Sequence, residues 1–233
     1  MGGSLRPGGA LAVAAAAVLA VAASAAKGPS SKVAWTPETV KLARSGDAAH
    51  GKKLHEDCSG CHGENGNVDV PDIPNLAGQN PLYIFKQLQD YKAELRASPI
   101  MGEAVKPLSE KDMADLSAFY ASQKPVRAGQ GQGRPPADAA AARLVSQGDG
   151  ARLIVACDAC HGQGGAGNPG FYGMPSLRNQ KFDDLSLELT NFRSGDRAND
   201  VYRVMRDACK NLTDAEIAGL AAHYSGTAPP AKK

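Results

Sequence analysis

Two short stretches of this 233-residue chain gather side chains that could ligate or react: CSGCHG at residues 58–63 and CDACHG at residues 157–162. Each sets two thiols three positions apart and an imidazole directly after the second. Three chemistries use Cys-x-x-Cys: a structural zinc site, a redox dithiol, and covalent attachment of haem c, in which two thiols add to two vinyl groups and the histidine reaches the iron. A zinc ribbon needs its second thiol pair roughly 15–20 residues after the first. Here the second pair lies far beyond that, across a Gly/Pro/Gln-rich stretch, so each motif would be two ligands short. A thioredoxin-like pair expects a βαβ setting, and a plain disulfide leaves both histidines unexplained. Covalent haem, one per motif, is the chemistry that uses all six residues: Cys58, Cys61 and His62, then Cys157, Cys160 and His161.

The elements that must position these residues are duplicated. Met101 to Tyr120 aligns without a gap on Met205 to Tyr224. In both stretches a Ser or Thr (Ser109, Thr213) is followed three residues later by an acid (Asp112, Glu216), which is the signature of a capped helix start. Leu116 and Tyr120, or Leu220 and Tyr224, then share one helical face. Upstream, residues 73–79 match residues 174–180, and Leu88, Tyr91 and Arg96 match Leu189, Phe192 and Arg197. Apolar spacing predicts helices near Tyr83–Leu95 and Leu185–Phe192, and strand signals are weak throughout. The expected architecture is all-α, with two tandem helical domains each built around one covalent haem c. Each domain should hold a helix before the cysteine motif, a middle helix and a capped final helix. The expected boundaries are 1–25 for a signal peptide, 33–122 and 139–226 for the domains, 123–138 for the linker and 227–233 for a flexible tail.

Composition fits small domains filled by a cofactor. Aromatic residues are only 5% of the chain, and a small domain with few large side chains buries little apolar area unaided. The net charge of +2 is too mild for a nucleic-acid partner. Near the N-terminus, Arg6, an Ala-rich apolar run and Ala23–Ser24–Ala25 make a secretory signal peptide with a cleavage site, a retained membrane anchor being the alternative. An exported chain in an oxidising periplasm follows from that reading.

The repeat also selects axial ligands. Met113 falls opposite Ile217 and Met174 opposite Ile73, so both behave as apolar packing residues. Met101 and Met205 alone occupy one slot in both arms, each expected in a loop ahead of the capped helix. His/Met ligation by His62 with Met101 and His161 with Met205 would raise the reduction potential and fill the sixth position. Arg96 and Arg197 share a slot and are read either as haem-propionate contacts or as solvated helix-end arginines. His50, His55 and His223 have no counterparts and read as surface or helix residues. Gln79 and Gln180 are paired with no assigned role. Cys209 reads as a small buried hydrophobe, or else as an alternative ligand or reactive thiol.

With CSGCHG, PNLAGQ (74–79), the Met101 loop with PLSEKDM, CDACHG and the Met205 loop with LTDAEI in view, the chain resembles the dihaem cytochromes c of the cytochrome c4 type over roughly residues 45–225. The resemblance implies two class I cytochrome c domains passing electrons across their interface. It also implies that the backbone carbonyls of Pro74 and Pro175 orient the histidine ligands. The second arm departs from the first at Arg178–Asn179, at Cys209 and in a longer stretch before Met205. The expected function is a periplasmic electron carrier rather than an enzyme, free or peripherally membrane-associated. It would work between a quinol-oxidising complex or dehydrogenase and an acceptor such as a terminal oxidase. The alternatives are the cytochrome subunit of a sulfide- or alcohol-oxidising dehydrogenase and, further off, a haem enzyme of peroxidase or thiosulfate-oxidising type.

Overall fold

The computed structural model describes residues 35–126, 138–168 and 173–226, together with Met1 and Ser31. The signal segment 1–25, most of the linker and the tail from 227 lie outside the described residues. Among these residues no strand forms, and a single antiparallel bridge joins Asp149 to Ile154. The first domain runs through α1 (Pro37–Arg44), α2 (Ala48–Leu54), α3 (Glu56–His62), α4 (Pro81–Lys92), α5 (Pro99–Val105) and α6 (Glu110–Ser122). The second runs through α7 (Ala139–Ser146), α8 (Cys157–His161), α9 (Phe182–Ser194), α10 (Val204–Cys209) and α11 (Asp214–Ser225).

The capped final helices anchor both domains. Ser109 accepts from Asp112 N–H at 3.1 Å while the Asp112 carboxylate accepts from Ser109 N–H at 2.9 Å, which closes a full capping box. Thr213 and Glu216 do the same. Such a cap is worth about 1 kcal/mol. Behind the cap, α6 buries Met113, Leu116, Phe119 and Tyr120 and packs across α2 and α4, while α11 buries Ile217, Leu220, Ala221 and Tyr224 against α7 and α9. Leu116 and Leu220, at 1% and 2% exposure, each contribute roughly 2 kcal/mol of apolar burial. The crossing of α2 and α6 is set by Gly51, where a Cβ would stand 2.1 Å from the Asp115 carbonyl oxygen. No larger residue allows that approach.

The methionines depart from the sequence expectation: they stand in short helices, not loops. Met101 lies in α5 because Ser98 caps it, accepting from the Met101 N–H at 3.2 Å, and Pro99 is pre-set for the first helical turn. Met205 lies in α10, entered through a 3-10 turn at Val201–Arg203 in which Tyr202 and Arg203 are both left-handed. Asp200 closes this longer approach by accepting from Arg206 N–H at 2.9 Å and Nε at 2.6 Å.

Candidate haem sites

In α3 and α8 the two motif cysteines stand one helical turn apart on one face, with the histidine closing the helix. The chain must then turn away at once. Gly63 and Gly162 do this at φ 75° and 74° with ψ 158° and 160°, a region open essentially to glycine alone. A Cβ there would lie 2.3 Å from the carbonyl oxygens of Asn67 and Gly167 respectively. The final glycine of each CxxCHG stretch is therefore structural.

Both imidazoles are buried, His62 at 8% and His161 at 5% exposure. His62 Nδ1 lies 3.1 Å from the Pro74 carbonyl oxygen, and His161 Nδ1 lies 3.0 Å from that of Pro175. A carbonyl only accepts, so Nδ1 carries the proton and the Nε2 lone pair is left free. Burial lowers the pKa of both rings, against the opposing pull of the proline carbonyls, so both are neutral. A neutral, buried, oriented imidazole with a free Nε2 is the donor that haem iron takes.

The rest of the donor set fits as well. All four motif thiols are unpaired. Burial raises the Cys58 thiol and pushes Cys157 up to about 11, so both stand as neutral groups packed against the apolar cores of their domains. Met101 and Met205 are partly buried against the apolar cores of their own domains, whereas Met113 is fully interior at 1% exposure. The Met174 carbonyl accepts from Asn80 Nδ2 at 2.9 Å, at the contact between domains. Beside the first cysteine of each motif stands the paired tyrosine. Tyr224 donates to Asp158 at 3.1 Å, while the buried Tyr120 hydroxyl, next to Cys58, has no well-formed hydrogen bond. The position equivalent to Asp158 in the first arm is Ser59, whose hydroxyl turns back to the Glu56 carbonyl.

Arg96 and Arg197 are not solvated helix-end residues. Both are buried where the domains meet and both pair with Glu188 of α9, Arg197 at 2.7 Å. Arg197 lies over the Phe192 ring at 4.4 Å and Arg96 over Tyr91 at 4.9 Å. Gln87 Oε1 accepts from Arg96 at 2.8 Å and from Arg197 at 3.1 Å, and Arg197 also donates to the Tyr83 hydroxyl at 3.1 Å. Lys86, Asp90 and Asn199 extend the network: Lys86 donates to Asp90 and to the Asn199 carbonyl, both at 2.6 Å. Burial alone would raise the Glu188 carboxyl, but the facing guanidiniums of Arg197 and Arg96 more than offset it and hold it below the usual range. Asp184, buried nearby, is pushed up to about 6 by desolvation and then by Glu188. Residue types gave no warning of this network beyond Lys86, Gln87 and Asp90, polar residues on the buried face of α4.

The remaining candidates have other partners. His50 Nδ1 pairs with Asp115 at 2.9 Å, His55 packs on Phe119 at 4.7 Å, and His223 sits edge-on to Tyr224 at 5.1 Å. Cys209 is 1% exposed within the second core, and desolvation pushes its thiol up to about 12. It behaves as a small hydrophobe.

The sequence profile of the Cytochrome c family matches residues 48–124 and again 148–225, one match over each histidine–proline pair. Cytochrome c4 of Azotobacter vinelandii is 36% identical over 193 residues, spanning 78% of this chain and 90% of that protein. The chain belongs to the dihaem cytochrome c4 family. It therefore carries two covalently bound haem c groups and transfers electrons to and from redox protein partners. The crystal structure of reduced cytochrome c4 from Pseudomonas stutzeri superposes with a TM-score of 0.71 at 34% identity, covering 78% of this chain and all of that one. A protein of Stutzerimonas stutzeri named thiosulfate dehydrogenase electron acceptor is 30% identical over 79% of this chain and 89% of its own length. No helix among the described residues is long and apolar enough to cross a membrane.

Proposed function

We propose that this cytochrome is a periplasmic carrier with two His/Met sites, His62 with Met101 and His161 with Met205. Cys58 and Cys61 would form the thioethers of the first haem, and Cys157 and Cys160 those of the second. Bound haem supplies a one-electron couple in each domain. The chain's own work is to hold that couple still. The neutral imidazoles would ligate through Nε2, the carbonyls of Pro74 and Pro175 fix the rings and raise their basicity, and the Met101 and Met205 sulfurs would favour the reduced state. With both axial positions filled by protein, no site remains for a substrate, which is why the reading is a carrier and not an oxidase or peroxidase. The buried guanidiniums of Arg96 and Arg197 at the domain contact are the proposed partners of the haem propionates, whose charge they would balance. The N-terminal segment 1–25 supports export. The proposed electron donor is a membrane-bound quinol-oxidising complex or a dehydrogenase, and the proposed acceptor a terminal oxidase.

The observation that carries this reading is the duplicated Nδ1-to-proline carbonyl bond, which commits both histidines to the same tautomer. Optical and EPR spectra of the wild type, Met101→Ala and Met205→Ala test the ligand sets. Each substitution should abolish the Met-to-iron charge-transfer band of one haem and leave the other haem low-spin. A substitution that changes neither haem removes that methionine from the assignment. The likeness to a thiosulfate dehydrogenase electron acceptor favours a second reading, service to one sulfur-oxidising dehydrogenase. Co-purification of a stoichiometric catalytic subunit from periplasmic extract would select it over a free carrier.

A further inference from the structure

The contact between the two domains is reciprocal, and it passes through the peptides that hold the axial histidines. The peptide group joining Pro74 to Asn75 uses its C=O to accept from His62. The N–H of that same group donates to Gln180 Oε1 of the second domain at 2.9 Å, and Gln180 Nε2 donates back to the Asn75 carbonyl at 2.7 Å. The opposite domain mirrors this. The peptide joining Pro175 to Ser176 accepts from His161, its N–H donates to Gln79 Oε1 at 2.7 Å, and Gln79 Nε2 donates to the Ser176 carbonyl at 2.9 Å. Gln79 and Gln180 are 6% and 7% exposed and Asn75 is 6% exposed, so water does not replace these bonds.

We infer that Gln79 and Gln180 are crossed positioning residues, each setting the axial histidine of the other domain's haem. A peptide whose N–H is bound is polarised toward a more negative carbonyl oxygen, and bonds chained through one amide strengthen each other in a dry interior. A stronger acceptor at Pro74 or Pro175 draws the Nδ1 proton, gives the imidazole more anionic character and favours the ferric state. The peptide is also fixed in space. Asn75 Oδ1 accepts from Val68 N–H at 2.9 Å and Ser176 Oγ donates to the Gly165 carbonyl at 3.0 Å, tying each clamped residue back to the loop that follows its own haem motif. Docking of the domains thereby completes the surroundings of both irons, and each half of the chain tunes the potential of the other.

This rests on His62 and His161 being the iron ligands, and that reading is checked first in the wild type: their Nδ1 protons must show hyperfine shifts on oxidation. The test then uses the full dihaem chain with Gln180→Leu and with Gln79→Leu. NMR follows exchange of each Nδ1 proton in the ferrous protein, and spectroelectrochemistry gives each potential. Gln180→Leu should speed exchange at His62 by about fivefold or more, the factor set by loss of one ordinary hydrogen bond, and raise the potential of the first-domain haem. His161 should change by less than about twofold, well inside that factor. Gln79→Leu should give the opposite pattern. Changes confined to the substituted domain, equal changes at both histidines, or no change at either would overturn the inference. If a leucine variant does not load haem, Gln180→Asn and Gln79→Asn, one methylene too short to reach both backbone groups, are read by the same criteria.

Discussion

Replacing Glu188 by Gln tests whether charge, and not shape alone, holds the two domains together. Glu188 meets Arg96 through one oxygen and Arg197 through the other, at 2.7 Å, and both arginine side chains are about nine-tenths buried. Glutamine keeps the volume but removes the one carboxylate side chain among the described residues that pairs with both guanidiniums. Breaking one partner out of a buried ion pair costs roughly 3–5 kcal/mol, against less than about 1 for an exposed pair. For a chain of this size each kcal/mol lowers Tm by about 2–4 °C, so a fall on the order of 10 °C is expected. Calorimetry of the holoprotein, with far-ultraviolet ellipticity as a second probe, measures it. The pH dependence separates charge from packing. Because the folded Glu188 carboxyl lies below its unfolded value, its stabilisation is present above the unfolded pKa near 4.5 and is lost as pH falls through the folded one. The gap between wild type and Glu188→Gln should be full at pH 7 and shrink in acid. A gap under about 0.5 kcal/mol at pH 7, the size of a solvated pair, or one that does not change with pH, would refute the reasoning.

Asp184 should show the opposite sign. Its folded pKa of about 6 exceeds the ordinary aspartate value of 3.8, so the native state loses stability as pH rises from about 4 to about 6. Asp184→Asn should stabilise the protein above pH 6, by up to about 3 kcal/mol for a shift of this size, and gain nothing near pH 3; chemical denaturation at both pH values measures this, and equal effects would reject it. The paired tyrosines should separate too. Tyr224→Phe removes the bond to Asp158 and should cost about 1 kcal/mol, whereas Tyr120→Phe removes a hydroxyl that makes no well-formed hydrogen bond and should be neutral or slightly stabilising. Paired thermal melts decide it, and equal losses would mean that Tyr120 is satisfied in the holoprotein.

What could be read in the sequence was what local chemistry determines. CxxCHG needs its residues on one helical turn, and the cap residues Ser109 and Thr213 act within three positions of themselves, so both were visible in the letters alone. The seat of Met101 was partly legible. Ser98–Pro99 is a helix start by its own chemistry, but the alignment drew attention to the methionine slot and not to what preceded it. The alignment puts the two arginines in one slot but says nothing of their surroundings, because Arg96 pairs with Glu188 in the opposite domain. No short-range pattern reports a partner that distant. Gln79 and Gln180 were visible as a matched pair and could not be interpreted, since what they bind is backbone, and a peptide N–H has no letter in a sequence.

The duplication itself gives these missed contacts a common origin. Two copies of one helical unit facing each other present like surfaces, so a residue that reaches across from one copy is met by its counterpart reaching back. Gln79 and Gln180 keep that symmetry. The charged network breaks it: Glu188 serves both arginines, and its counterpart in the first domain is the neutral Gln87, which also accepts from both. One position thus carries an anion in one copy and an amide in the other, so a single carboxylate serves two like-charged guanidiniums that a strictly symmetric pair of carboxylates would have balanced one to one. The same break in symmetry appears beside the cysteines, where Asp158 faces Tyr224 and Ser59 does not face Tyr120. The two motif cysteines therefore stand in unlike polar surroundings, with a hydrogen-bonded Asp158–Tyr224 pair beside Cys157 and no such pair beside Cys58, so the two proposed sites, matched in their proposed ligands, need not be alike in potential.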